Sequence, residues 1–244
     1  MNSTSLPLKR LVAEGLVIVA GVLIALAADG WMDERAERQL EAIYWTELKE
    51  DLLQADSILG AAASFARERQ AGARLVLAAV RGELSDTVSV EALAYGMSMA
   101  NTVYSPPVPR DTWDEIVSEG RLSLLGDREL RREIAALYRS VELLREFHLE
   151  WVNYVFPYRR AIAHLLPAEI YIESVAGSLY EVPRTQELPS IDALLEMLSG
   201  DEGVAASIGD VLTINEAAIR ETEVRQERIR ELIPRIEELE SLSG

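Results

Sequence analysis

Residues 40–80 read LEAIYWTELKEDLLQADSILGAAASFARERQAGARLVLAAV. Within them Leu40, Tyr44, Leu48, Leu52, Ala55, Leu59, Ala62, Ala66, Ala73, Leu77 and Val80 recur at steps of three and four, with one seven-residue gap after Ala66. That is the period of one face of an α-helix. No proline interrupts the chain from Met32 to Arg81, so the spacing predicts one helix about 75 Å long, which Gly60 and Gly72 are expected to bend or break. The stripe reads as the core-facing side of a helix in a bundle. A homo-oligomeric coiled coil is the alternative, and its many alanines would make a thin seam.

Upstream, Leu11 to Ala28 is apolar apart from Glu14, with Lys9 and Arg10 before it and Trp31 after it. As a helix, Leu11 to Trp31 spans about 30 Å, the thickness of a bilayer's hydrocarbon core. Trp31 would lie at the interface, where an indole is favoured, with Asp29 and Asp33 in water. A carboxylate at mid-membrane costs roughly 3 kcal/mol and less near the end. Glu14 stands four residues from Arg10, so the two are expected to pair near the headgroups. Gly21 and Ala25 have the small-xxx-small spacing of a helix-packing face.

Two other readings use the same residues. The uninterrupted apolar run from Gly15 to Ala28 has signal-peptide length, and Ala25-Leu26-Ala27 offers a small-residue cleavage site. A buried core helix is the third. A retained anchor is preferred because the helical pattern continues past Trp31 with no linker. The division expected is a cytoplasmic tail over 1–10, a transmembrane anchor over 11–31, and an extracytoplasmic helical bundle over 32–244. Lys9 and Arg10 on one flank nearly balance Arg35 and Arg38 on the other. The α-amino group tips the positive-inside rule toward a cytoplasmic N-terminus.

Downstream, Gly82 to Thr87 reads as a turn, Ser89 to Asn101 as a short helix, and Ser105-Pro106-Pro107-Val108-Pro109 as an extended connector. Thr112-Trp113-Asp114-Glu115 has capping-box form and predicts a helix that runs to Glu119, with Gly120 at its end. Asp127 caps a second long helix, whose apolar side is read as Leu130, Ile134, Leu137, Tyr138, Val141, Leu144, Leu149, Val152 and Val155. Pro157 should kink or end it, the chain staying helical to Leu166 before Pro167 stops it. Pro183 and Pro189 bracket an irregular stretch, and Ser190 caps a short helix. The last long helix runs from Asp201 to Leu242, perturbed at Pro234. The fold class is therefore all-α: an N-terminal transmembrane helix continuing into an antiparallel bundle.

Composition narrows the function. The net charge is −17; Lys9, Arg10 and Glu14 together contribute +1, so the rest carries −18. Such a body repels nucleic acid and anionic lipid. With no cysteine, disulfides, thiolate chemistry and cysteine zinc sites are impossible. His148 and His164 are the only histidines, and Arg145 and Ala161 stand where Glu-x-x-His metal sites need glutamate. Both histidines read as ordinary polar or packing groups, and the Glu47/Asp51 pair as part of a solvated face. No phosphate loop or nucleophile elbow occurs, so no catalytic residue, metal or cofactor is expected. Trp151, Tyr154, Tyr158, Arg159 and Arg160 cluster around Pro157. They are read either as a pocket or contact surface or as core packing with snorkelling arginines.

The run from Glu14-Gly15 through Ile24-Ala25-Leu26 to Asp29-Gly30-Trp31 resembles the opening of a family of uncharacterised bacterial single-pass membrane proteins. Thr112-Trp113-Asp114-Glu115-Ile116, Ser118 to Leu122, Asp127 to Leu130 and Tyr138 are similar to the middle of that family. The resemblance covers about a third of the chain and nothing after Pro157. It implies residence in the bacterial inner membrane and supplies no activity or site residues. The function expected is a tethered, non-enzymatic module that binds another protein, itself included. The alternative is a ligand-sensing or lipid-handling domain with a pocket near Pro157.

Overall fold

In a computed structural model the chain is described over residues 8–166 and 187–243, with side chains from residue 14 to residue 241. The expectations at Pro167 and Pro183 lie outside the described residues. The elements are α1 (Leu8–Val80), α2 (Val90–Ala100), α3 (Asp111–Ser118), a 3-10 turn at Leu122–Leu124, α4 (Arg128–Ile162), α5 (Ile191–Gly200) and α6 (Glu202–Ser243). The described residues hold no strand, and the fold is all-α.

A single 73-residue helix, α1, carries both the apolar N-terminal run and the core stripe. It stops at Gly82, whose φ of +69° only glycine adopts cheaply. There Glu83 N–H donates to the Ala78 carbonyl at 2.8 Å and Gly82 N–H to Ala79 at 3.1 Å, the paired bonds of a Schellman end. Gly120, also at φ +69°, ends α3 in the same way.

Gly60 and Gly72 do not break α1; they are contact points. A Cβ at Gly72 would meet the Gly96 carbonyl oxygen at 2.5 Å, so the backbones of α1 and α2 cross where neither has a side chain. At Gly60 the nearest atom is Nε2 of the Gln226 side chain, at 2.9 Å.

Helix α6 runs antiparallel to α1. Thr46 Oγ donates to Glu240 (2.8 Å), Arg230 pairs with Asp56 (2.9 Å), and Arg67 pairs with Glu223. It is also antiparallel to α4, through Arg235–Glu133 (2.6 Å) near one end and Arg225 to the Ser140 carbonyl (2.7 Å) further along. The long helices thus form a three-helix bundle with two apolar cores. The core nearer the N-terminal arm is built on Tyr44, Leu48, Leu52, Ile134 and Leu232, with α3 laid over it so that Trp113 stacks on Tyr138 at 5.7 Å. The far core is built on Val76, Leu93, Tyr158, Leu198 and Ile208, with α2 and α5 packed against it.

Several local expectations are corrected. Thr112 is not an N-cap: α3 begins at Asp111, its N-cap Arg110 makes no side-chain capping bond, and Thr112 is buried. The first-turn N–H of Thr112 donates instead to Asp51 Oδ2 of α1 at 3.2 Å, so the cap comes from another helix. Leu149 and Val152 are exposed, and His148 takes the inward position one turn after Leu144. Val76 and Ala79 are fully buried, whereas Leu77 and Val80 are only partly so. Pro157 and Pro234 lie within continuous helices. Each proline leaves the carbonyl four residues earlier without its N–H donor, and Asn153 and Arg230 are both exposed, so water can serve them.

The α1–α2 crossing gives a direct test. Gly72→Ala should destabilise the protein by about 1–3 kcal/mol, because backbone must move to admit the methyl. Gly60→Ala should cost far less, since a flexible amide can swing aside while the helix gains propensity. Denaturant unfolding followed by circular dichroism compares the two.

Candidate functional site

The N-terminal arm stands clear of the bundle. Its most apolar eighteen-residue window has a mean hydropathy of 2.0, and none of it is buried against the rest of the chain. A Cβ at Gly15, Gly21 or Gly30 would meet nothing within 4 Å, so among the described residues none covers the face that Gly21 and Ala25 share. Trp31 is exposed, with the Arg35 guanidinium 5.6 Å from its ring centroid. Lys9 and Arg10 are helical, but their side chains, and with them the expected Arg10–Glu14 pair, lie outside the described residues.

The residues around Pro157 do not form one site. Tyr158 is fully buried and donates its hydroxyl to the Met97 carbonyl at 3.0 Å, tying α4 to α2. Arg159 donates to the Asn101 carbonyl at 3.0 Å and to the Asn101 side chain, holding the C-cap of α2. Arg160 lies over the Phe156 ring at 4.8 Å. Trp151 and Tyr154 face another way and, with Phe147 and Ile214, border an open hollow of about 360 Å³ that does not include Tyr158.

A different group, between the two apolar cores, holds polar side chains of which only His148 stood out in the sequence, as an ordinary polar or packing group. Arg69 of α1 (4% exposed), His148 of α4 (3%), and Asn215, Thr222 and Arg225 of α6 are all buried at this level. Arg69 fills the seven-residue gap in the α1 stripe: its Nη1 donates to the Thr102 carbonyl at 3.1 Å and its guanidinium lies 5.4 Å from the Phe65 ring. Arg69 Nε has no partner, and no carboxylate pairs with this cation among the described residues. Burial pushes its pKa down to about 10. Arg225 is better served, donating to the Ser140 carbonyl through Nε (3.0 Å) and Nη2 (2.7 Å) and to Glu221 at 2.9 Å.

His148 sits edge-on to Trp151 with centroids 4.5 Å apart, and its Nδ1 is buried without a partner. Burial, then the nearby Arg69 and Arg225 cations, lowers its pKa from 6.5 to about 4. The imidazole is therefore neutral at neutral pH. It forms part of the wall of a hollow of about 390 Å³, together with Leu59 and Leu144, the Pro106-Pro107 connector, and Arg145 and Glu142. Ser105 shares that wall, and no hydrogen bond joins it to His148. The described residues contain no group of three or more metal-ligating side chains. A neutral imidazole with a free ring nitrogen can donate or accept one hydrogen bond to a guest.

No family model, no curated protein and no solved structure matches the chain.

The His148 environment fixes a pH dependence. Its folded pKa of about 4 lies below the ordinary 6.5, so above pH 6.5 the imidazole is neutral in both states and costs nothing. As pH falls from 6.5 toward 4 the unfolded chain takes up the proton first, and stability drops. Arg69 from α1 and Arg225 from α6 are the cations acting on it, with Trp151 against its ring. His148→Gln should therefore lose less stability than the parent over that interval; equal losses in urea titrations would contradict a neutral buried imidazole.

Proposed function

We propose that this protein is a single-pass, membrane-tethered helical module of the bacterial inner membrane that binds another protein, a second copy of itself included. The tether rests on one observation: an apolar helical arm that none of the other described residues covers, continuous with the main helix of the bundle. Leu16, Val17, Ile18, Val19, Val22, Leu23, Ile24 and Leu26 are all more than half exposed. Removing each such side chain from water is worth roughly 1.5–3 kcal/mol, and a contiguous uncovered patch of this kind marks an interaction surface. Its length matches a hydrocarbon core, and Trp31 stands where the interface would be.

Lys9 and Arg10 favour a cytoplasmic N-terminus, which puts the bundle over 32–244 outside the cytoplasm. The resemblance of residues 14–31 to bacterial single-pass proteins supports residence in the membrane. The interaction role draws on the uncovered Gly21/Ala25 face and on exposed Leu143, Phe147 and Leu149 of α4. The acidic surface argues against nucleic acid as the partner.

Full-length protein in bacterial membranes should stay in the pellet after alkaline carbonate extraction. Val19→Lys combined with Leu23→Lys should release it, each charge costing about 2.5–3.5 kcal/mol near mid-span. A parent protein that extracts fully would end the tether reading. Protease added to intact spheroplasts should digest the bundle, and protection would reverse the orientation. Crosslinking in those membranes should trap α4 or the arm against a second polypeptide, whereas recovery of the uncrosslinked monomer alone would remove the interaction role.

A further inference from the structure

We infer that the hollow beside His148 is a binding site for a small aliphatic monocarboxylate, its carboxylate on the imidazole and its hydrocarbon against Pro107, Val108 and Val141. This goes beyond the tether reading and does not depend on it. Three independent observations meet here. First, the hollow holds about 390 Å³, within the roughly 300–1,000 Å³ of small-molecule sites, and is lined mainly by apolar side chains. Second, His148 is 97% buried in its wall, and its Nδ1 has no hydrogen-bond partner among the described residues. Nδ1 itself is enclosed, and a buried polar atom left unpaired costs about 1–3 kcal/mol, which a turn of the ring toward a polar guest would recover.

Third, the site is asymmetric in donors and charge. The roof is Ser105-Pro106-Pro107-Val108, and its prolines have no N–H to give. The cationic and imidazole donors come from the other side, His148, Arg110 and Arg145, while the roof's side chains offer only the Ser105 hydroxyl. Arg69 and Arg225 are the cations that act on His148, and Arg69 has no carboxylate partner among the described residues. One acid, Glu142, faces the hollow, and its carboxylate is already held by Arg110 at 3.0 Å and Arg145 at 3.6 Å. An acceptor head therefore gains at the His148 end, where an ammonium head would be repelled. The hydrocarbon gains along the proline wall.

Only two histidines occur in the chain, which makes the test selective. Full-length protein labelled with ¹⁵N-histidine in detergent is titrated with hexanoate and, separately, with hexan-1-ol. Hexanoate should shift the His148 ring nitrogens saturably and leave His164, which is exposed, in place. Hexan-1-ol should not saturate over the same range. Val141→Phe, which fills the hollow from a partly buried position, should abolish the shift while leaving the His164 resonances and the helical circular dichroism unchanged. Arg69→Gln should weaken hexanoate roughly tenfold, the effect of removing one close, poorly screened charge. The assignment is overturned by any of three results: no saturable shift, parallel movement of both histidines, or equal saturation by hexan-1-ol. The first two would remove the site, and the third would remove the carboxylate.

Discussion

Helix α1 has to satisfy two surroundings with one rigid rod. Its first part is apolar on every side; its second part is apolar along one stripe that first becomes buried at Tyr44 and Trp45. Because the helix is continuous through Gly30, Gly60 and Gly72, the arm leaves the bundle as an extension of the same helix. Most other elements are positioned by the second part, and α4 is held chiefly through α6. Helix α6 returns along it, α3 hangs from it through Asp51, and α2 is admitted where Gly72 lets two backbones touch. A break in α1 would separate the arm from the bundle and remove the surface on which the bundle assembles.

Between the two apolar cores the bundle gives up hydrophobic burial. Ala62, Ala63 and Ala66 make the α1 surface thin there, and large polar groups from the facing helices fill the space. Arg225 spans to the Ser140 carbonyl and Arg69 to the Thr102 carbonyl, each reaching a single backbone position on a neighbour. Long helices with heptad-like stripes can slide past one another at little loss of apolar contact. A buried guanidinium whose acceptor exists in only one register opposes that slide, as polar core residues do in coiled coils. The two arginines act in this sense on different pairs of elements: Arg225 fixes α6 against α4, and Arg69 fixes α1 against the end of α2.

Helix existence and type were legible in the sequence because long periodic stripes carry that signal: α1, α2, α4 and α6 lie within a few residues of where their patterns put them. The caps at Asp127 and Ser190 and the glycine end at Gly120 were legible too, since each depends on a few adjacent residues. Thr112 failed because its N–H is served by Asp51, sixty-one positions away, and a local motif cannot report that. The grouping around Pro157 failed for a related reason. The inward stripe of α4 runs through Leu144, His148, Val155, Tyr158 and Ile162, so Tyr158 enters the far core, while Tyr154 lies beside that stripe and faces solvent. The polar level was half visible: the gap between Ala66 and Ala73 marked a missing inward residue, and Arg69 stood at the right phase. An apolar-only reading of the period passes over such a residue.

Electrostatics explains why the arm and the bundle are separated by a polar stretch. Between Trp31 and Leu40 the helix surface carries Asp33, Glu34, Arg35, Glu37 and Arg38, all exposed and mostly acidic. On the membrane reading, this segment lifts the first buried residue of the bundle about 20 Å beyond the interface. That distance exceeds the Debye length of about 8 Å at physiological salt, so a body of net charge −18 need not feel an anionic headgroup surface. The near end of the bundle, where Glu41 accepts from Gly126 N–H at 2.7 Å and Glu240 sits beside Thr46, is itself acidic. A tether of one helix with a charged collar can therefore hold this bundle over a bilayer without letting it lie down on the surface.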